Sequence, residues 1–234
     1  SDKLILENKV RNVVEAYGFC EGMTYSFESP KVYDKLNLAQ NDVLRKSIVI
    51  SNPLGEDYSV MRTSALGGML TSLATNYNRR NKDVRLYELA NVYLPKQLPL
   101  TELPDERVQL TMGMYGEGDF YAMKGVIEEI LTRLSLKGTV TYDPAAQKSF
   151  LHPGRQAKVI YEGKEIAYFG EVHPTVLKNF AIGQRAYVAV VDLAELIAMP
   201  KEAVKYTGVA KFPAMTRDIS LMMKKELLAG QVEE

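Results

Sequence analysis

The reactive side chains of this sequence are few and scattered. There are two histidines, His152 and His173, a single cysteine, Cys20, and no tryptophan. The most motif-like loop is His152-Pro153-Gly154-Arg155. It reads either as a polar pair, His152 and Arg155, at a pocket rim or partner surface, or as a Pro-Gly turn with two solvated side chains leading into a strand. His173 precedes Pro174 at the end of a strand pattern, where a turn into a helix explains it at least as well as catalysis. The two histidines lie on different turns and do not make a metal site by spacing. Glu56-Asp57, after Asn52-Pro53-Leu54-Gly55, sets two carboxylates side by side. Such a pair can hold Mg²⁺ or do acid–base work, and equally suits a solvated loop ahead of a helix N-terminus. Arg79-Arg80-Asn81-Lys82 is a short basic run that either compensates a helix dipole or contacts phosphate. The sequence has no Gly-x-Ser-x-Gly elbow, no Walker loop and no Gly-x-Gly-x-x-Gly turn.

The bulk numbers narrow the function class further. At 234 residues, 46% hydrophobic and 25% charged, the chain is an ordinary globular sequence with enough length for a sizeable core. Lys+Arg and Asp+Glu both total 29, so no global field draws it to nucleic acid or an anionic membrane. One thiol excludes an internal disulfide framework and a cysteine-rich zinc site. Together with the lack of a signal peptide, it points to a reducing, cytoplasmic location. No apolar run approaches the ~18 residues a membrane span needs.

The elements that must position these residues follow from periodicity. Val10, Val13, Val14 and Tyr17 recur on one stripe of a helix over 3–17. Residues 19–27 read as a strand with Met23, Tyr25 and Phe27 on one face. Ser29-Pro30 starts a short helix, and 44–51 is a β-branched run ending in a turn. A long helix spans about 62–80, with Leu66, Met69, Leu70, Leu73 and Tyr77 on its buried face. Gly67-Gly68 inside it weakens the helix by roughly 1 kcal/mol per glycine relative to alanine, so the pair suggests close approach by a neighbour. A central strand covers 84–93, followed by a proline-rich connection. Strand 107–115 alternates, with Val108, Leu110, Met112 and Met114 on one face. Asp119 caps a helix over 120–135, and strands 139–142, 156–161 and 165–171 follow, the last two joined by Glu162-Gly163-Lys164. Pro174 opens a short helix, 186–191 is a buried strand, Asp192 caps a closing helix over 192–199, and 217–223 reads as one more strand. Short turns between neighbouring strands demand antiparallel pairing, and the element order fits an α+β sheet flanked by helices.

Several stretches together carry a resemblance. Asn52-Pro53-Leu54-x-Glu56-Asp57-x-Ser59-Val60-Met61-Arg62-Thr63-Ser64 leads into a helix. Val84-Arg85-Leu86-Tyr87-Glu88-Leu89, Asp119-Phe120-Tyr121-x-x-Lys124-Gly125, His152-Pro153-Gly154-Arg155, Phe169-Gly170-Glu171-Val172-His173-Pro174 and Lys211-Phe212-Pro213-Ala214-x-x-Arg217-Asp218 follow in that order. The set resembles the β subunit of bacterial phenylalanyl-tRNA synthetase over nearly the whole chain. The resemblance implies a class II aminoacyl-tRNA synthetase-like antiparallel sheet flanked by helices over 1–207, non-catalytic in that family. It implies that 208–234 is a linker and the incomplete start of a ferredoxin-like anticodon-binding domain.

An active class II domain carries aromatic-Arg-x-Glu after a strand such as 84–93, the arginine gripping the α-phosphate of ATP through a bidentate fork. Lined up on Glu88-Leu89-x-x-Val92-Tyr93, the aromatic is Tyr93, the arginine is replaced by Leu94 and the glutamate by Lys96. The third class II motif, Gly-x-Gly-x-x-x-Arg, falls on Val190 to Leu196, which lacks both glycines and has Glu195 near the arginine position. The resemblance therefore implies an architectural role beside a catalytic α subunit, with no cofactor in this chain and with ATP, Mg²⁺ and tRNA(Phe) belonging to the holoenzyme. The expected subunit interface is Val10, Val13, Val14 and Tyr17 with Met23, Tyr25 and Phe27, exposed in the isolated chain and open to self-association. The competing reading is an ATP-dependent ligase with a diverged class II site.

Overall fold

A computed structural model describes residues 2–233. The chain divides into two units after Ala203. The first unit is built on a seven-stranded sheet in the order β1-β4-β5-β9-β8-β7-β6. Its strands are β1 (Cys20–Glu21), β4 (Val84–Leu94), β5 (Asp105–Tyr115), β6 (Val140–Asp143), β7 (Leu151–Tyr161), β8 (Lys164–Val172) and β9 (Ala186–Val191). All neighbours pair antiparallel except β1, which runs parallel to β4. A separate two-stranded ribbon joins β2 (Phe27–Glu28) to β3 (Val60–Met61). The architecture is α+β, as the pattern of elements predicts.

Helices cover both faces of the sheet. On one side lie α1 (Asp2–Ala16), α4 (Phe120–Arg133) and α6 (Leu193–Ala198); on the other lie α2 (Val32–Lys35), α3 (Leu66–Asn78) and α5 (Pro174–Asn179). Strand alternation sorts residues between the two cores. Val108, Leu110, Met112 and Met114 of β5 face α1 and α4, while Tyr115 joins the α3 side. β9 is buried along its whole length because it is covered from both faces, which is why it reads as a continuous apolar run. Asp119 caps α4 as expected, its Oδ1 accepting from the Tyr121 and Ala122 amides at 2.9 and 3.0 Å. Met123, Val126, Ile127 and Ile130 of α4 then reach Phe169 of β8, which stacks against Phe120 at a centroid distance of 4.7 Å.

Two expected strands are not formed as read, and a β-branched run also stays outside the main sheet. Residues 19–27 add to the main sheet only the two-residue β1, continued by the Gly22 amide donating to Tyr87 O at 2.8 Å, before the chain leaves the sheet and Phe27 enters the β2–β3 ribbon. The backbone oxygens of Thr24, Tyr25 and Ser26 are taken instead by the Arg62 guanidinium and the Arg62 amide, so no sheet neighbour is needed. The run 44–51 begins as a 3₁₀ turn, Val43–Arg45, capped by Asp42, and its β-branched part makes only an isolated bridge from Val49 to Val60. Residues 217–223 are exposed and extended without a partner strand among the described residues, and an unpartnered strand has nothing to hydrogen-bond its backbone. The second unit carries one short helix, α7 (Gly230–Glu233).

Packing around Phe169 gives a direct check on the core. Phe169→Ala is expected to cost about 3–5 kcal/mol, read as a lower urea midpoint with an unchanged slope.

Candidate functional site

Beyond the C-terminal end of β4 and beside α6, charged side chains are paired among themselves. Leu94 closes the β4–β5 ladder opposite Asp105, half-buried. Lys96 Nζ lies 3.0 Å from Glu102 Oε2, and Glu195 Oε2 lies 2.7 Å from Lys164 Nζ. The nearby Arg107 is held between Asp105 at 2.8 Å and Asp192 at 2.5 Å. These carboxylates outweigh the cost of its partial burial and hold its proton even more firmly than usual.

The His152–Arg155 loop is a bulge within β7 rather than a turn before it. The ladder register moves from Leu151↔Val172 to Gln156↔Gly170, so residues 152–155 loop out opposite Glu171. Glycine is required at 170 because a Cβ there would stand 2.5 Å from Arg155 O. His152 and Arg155 do not form a pair. His152 Nδ1 accepts from the Gly154 amide at 3.1 Å and closes the loop on itself. Arg155 forks onto the buried Glu171 at 2.6 and 3.3 Å, with Arg185 3.7 Å from the same carboxylate. The glutamate in Gly170-Glu171 was the readable signal for this partner. His173 Nδ1 accepts from the Thr175 amide at 3.1 Å and caps α5, a structural task. Arg79 and Arg80 sit exposed at the C-terminal end of α3, where cations complement the helix dipole.

The expected interface residues divide. Val10, Val13 and Val14 are buried in the chain's own core against α4 and the sheet, so the stripe of α1 faces inward. This corrects the expectation that they stand exposed. The apolar residues that α1 presents outward are Leu4 and Ile5, with Tyr17 just beyond it. Met23 and Tyr25 remain free, at 93% and 68% exposure, and Phe27 is half-buried.

Met23, Tyr25 and Phe27 border a cleft of about 740 Å³ in the first unit. Tyr25 stacks on Phe27 at 5.5 Å, and Tyr58 meets both edge-on at 5.7 and 6.4 Å. The floor is the first turn of α3. A Cβ on Gly67 would lie 2.4 Å from Val32 Cγ2, and one on Gly68 would lie 2.5 Å from Thr24 Oγ1, so the glycine pair does admit a close neighbour. Behind the cleft, the Arg62 and Glu88 side chains are about 95% buried and 3.0 Å apart. Arg62 Nε also donates to Asn91 O at 2.8 Å and Nη1 to Thr24 Oγ1 at 3.0 Å, while Thr24 Oγ1 donates to Glu88 Oε2 at 2.8 Å. Glu28 stands at the inner wall. Burial pushes its carboxyl up to about 8, an effect the Arg62 charge only partly offsets. Sequence reasoning missed this group because Glu28 closes the short strand β2 with no motif around it, and its burial arises from residues distant in sequence.

Residues 1–193 match the family described as "Phenylalanyl tRNA synthetase beta chain CLM domain". The chain belongs to this family. It is 39% identical over 229 residues to the phenylalanine–tRNA ligase beta subunit of Clostridium tetani and 37% identical over 228 residues to that of Clostridium acetobutylicum. In both cases 97% of this chain is covered, but the chain spans only 29% and 28% of those relatives. A pyrrolysyl-tRNA synthetase from Desulfitobacterium hafniense shares the fold at a TM-score of 0.66 and 14% identity, covering 83% of this chain and 68% of that one. The β-chain fold is thus that of a class II aminoacyl-tRNA synthetase. No described helix is long and apolar enough to cross a membrane.

Two measurements check the cleft. For Arg62–Glu88, Glu88→Gln or Arg62→Met alone is expected to cost about 3–5 kcal/mol by leaving a buried charge unmatched, and the double substitution by apolar residues to recover most of it; additive losses would contradict a coupled pair. For Glu28, the folded carboxyl keeps its proton to about pH 8 whereas the unfolded one loses it near 4.5, so its contribution to stability falls as pH rises across that window. Glu28→Gln should therefore match wild type at pH 5 and exceed it by at least about 1 kcal/mol at pH 8.5 in thermal melts.

Proposed function

We propose that this chain is the structural and assembly core of a phenylalanyl-tRNA synthetase β subunit. It packs against the catalytic α subunit, so that the holoenzyme can charge tRNA(Phe) with phenylalanine using ATP, and it forms no adenylate itself. The observation that carries this reading is the strand end at Leu94. A leucine cannot replace the bidentate grip of an arginine on phosphate. Basic side chains following it and on neighbouring β5, Lys96 and Arg107, are each tied to a carboxylate of the same chain. ATP and Mg²⁺ then belong to the α subunit's site and tRNA contacts chiefly to other parts of the assembly, in keeping with zero net charge. The complex would work in the cytoplasm.

The α subunit is expected on the face carrying Tyr17, Met23, Tyr25 and Phe27, where exposed aromatic and methionine side chains surround a cleft. In its absence this face would drive self-association. Residues beyond 208 fit the start of an anticodon-binding domain.

Deleting α1 would unfold the core, because Val10, Val13 and Val14 are part of it. Point changes are the cleaner test. Met23→Asp with Tyr25→Asp should abolish co-purification with α while leaving circular dichroism and Tm unchanged; wild-type capture by this double variant would remove the interface. Calorimetric titration of the chain with ATP and phenylalanine should give no saturable heat, and adenylate formation would establish the diverged-ligase alternative instead.

A further inference from the structure

A second cleft of the first unit, about 750 Å³ in volume, opens where the β7 bulge, the end of β8 and the segment before β9 meet α3 and α5. Its charge is one-sided. Arg155, Arg185 and Lys178 line it, against the single carboxylate of Glu171. Arg155 and Arg185 both address that carboxylate, at 2.6 and 3.7 Å, and the Glu171 side chain is only 3% exposed. Three cations less one carboxylate leave an excess of two positive charges. Asp119, which faces the neighbouring Tyr187, is already committed to the cap of α4.

The donors of this cleft are held in place and unspent. Arg155 turns Nε and Nη2 to Glu171, at 2.6 and 3.3 Å, which leaves Nη1 on the other edge of the guanidinium. The bulge lifts Arg155 out of the ladder, and the buried carboxylate fixes the plane of its fork. Among the described residues, the side chains of Arg185, Lys178 and Gln184 and the Tyr77 hydroxyl make no hydrogen bond. Gly183 is what gives that hydroxyl room at the cleft wall, since a Cβ there would stand 2.5 Å from the Tyr77 oxygen.

We infer that this cleft binds a phosphate dianion, inorganic or carried on a small phosphomonoester, with Arg155 Nη1, Arg185 and Lys178 as cationic donors and the Tyr77 hydroxyl as a neutral one. The inference goes beyond the assembly reading and does not rest on it. The charge count selects the ligand. A dianion matches an excess of two positive charges, whereas a carboxylate leaves one cation unmatched. A nucleic-acid tract is not favoured, because the excess is local and the chain as a whole has zero net charge. Glu171 supplies no contact to the phosphate. It is a positioning residue that orients Arg155 and keeps two arginines together in one place.

The test is calorimetric titration of the chain with inorganic phosphate in HEPES at pH 7.5 and fixed ionic strength. Wild type should show one saturable site with a Kd below about 3 mM. Lys178→Met with Arg185→Met should weaken it at least about tenfold. Both side chains are exposed, so the fold should be kept, and circular dichroism checks this. Should the double variant melt early, Arg185→Met alone, at a side chain 71% exposed, gives the same reading. Glycerol 3-phosphate separates the two sources: tighter binding than inorganic phosphate assigns the site to a phosphomonoester, and equal binding to phosphate itself. No saturable heat up to about 20 mM phosphate, or unchanged affinity in the variants, overturns the site. Acetate binding as tightly as phosphate overturns the dianion and puts a carboxylate ligand in its place. Displacement of phosphate by a short RNA without terminal phosphates overturns it in favour of a backbone diester.

Discussion

The first unit depends on one buried ion pair. Arg62 and Glu88 meet inside the protein at 3.0 Å, and removing two charges from water is tolerable only if every remaining donor and acceptor finds a partner. Through Nε and Nη1 the Arg62 guanidinium reaches the oxygens of Thr24, Tyr25 and Asn91, and Glu88 accepts from the Thr24 hydroxyl. These contacts join three parts of the chain that are far apart in sequence: the segment after β1, the approach to α3 and the centre of β4. They also explain why residues 23–26 do not continue as a strand. Their backbone oxygens are already satisfied by a side chain, so the segment is held off the sheet edge and a cleft opens beneath it.

The opposite arrangement holds at the far end of β4. There the charged groups cancel locally, Lys96 with Glu102, Lys164 with Glu195, and Arg107 between Asp105 and Asp192. The sheet shares its fold with a pyrrolysyl-tRNA synthetase at only 14% identity. The packing of β4, β5 and β9 needs apolar alternation alone, whereas a phosphate grip needs particular residues at positions that packing leaves open.

Much of the fold was legible because periodicity and caps agree over long elements. α4 shows a cap at Asp119 and an apolar repeat from Met123 to Ile130; β5 alternates cleanly; the β7–β8 turn carries Glu162-Gly163, both at positive φ. The stretches misread as strands, 19–27 and 217–223, have strand-like composition, but a strand also needs a neighbour to take its backbone groups. That neighbour is supplied by distant sequence or not at all. The α1 stripe was identified correctly as apolar and misassigned as exposed. Periodicity shows that a helix has a buried face, but whether the chain's own α4 or another subunit covers it is a matter of tertiary placement.

The candidate site divides along the same line. Leu94, Lys96 and Glu195 are read from residue type at positions aligned on the family resemblance, which local sequence alone supplies. The sequence alone thus determined the family and the layered α+β architecture, because both are written in local pattern and order. The pairing of Arg155 with Glu171, the capping role of His173 and the unmatched Glu28 carboxyl were decided only by the tertiary structure. Burial and hydrogen-bond partners are properties of the space around a side chain, and that space is filled by residues far away along the chain.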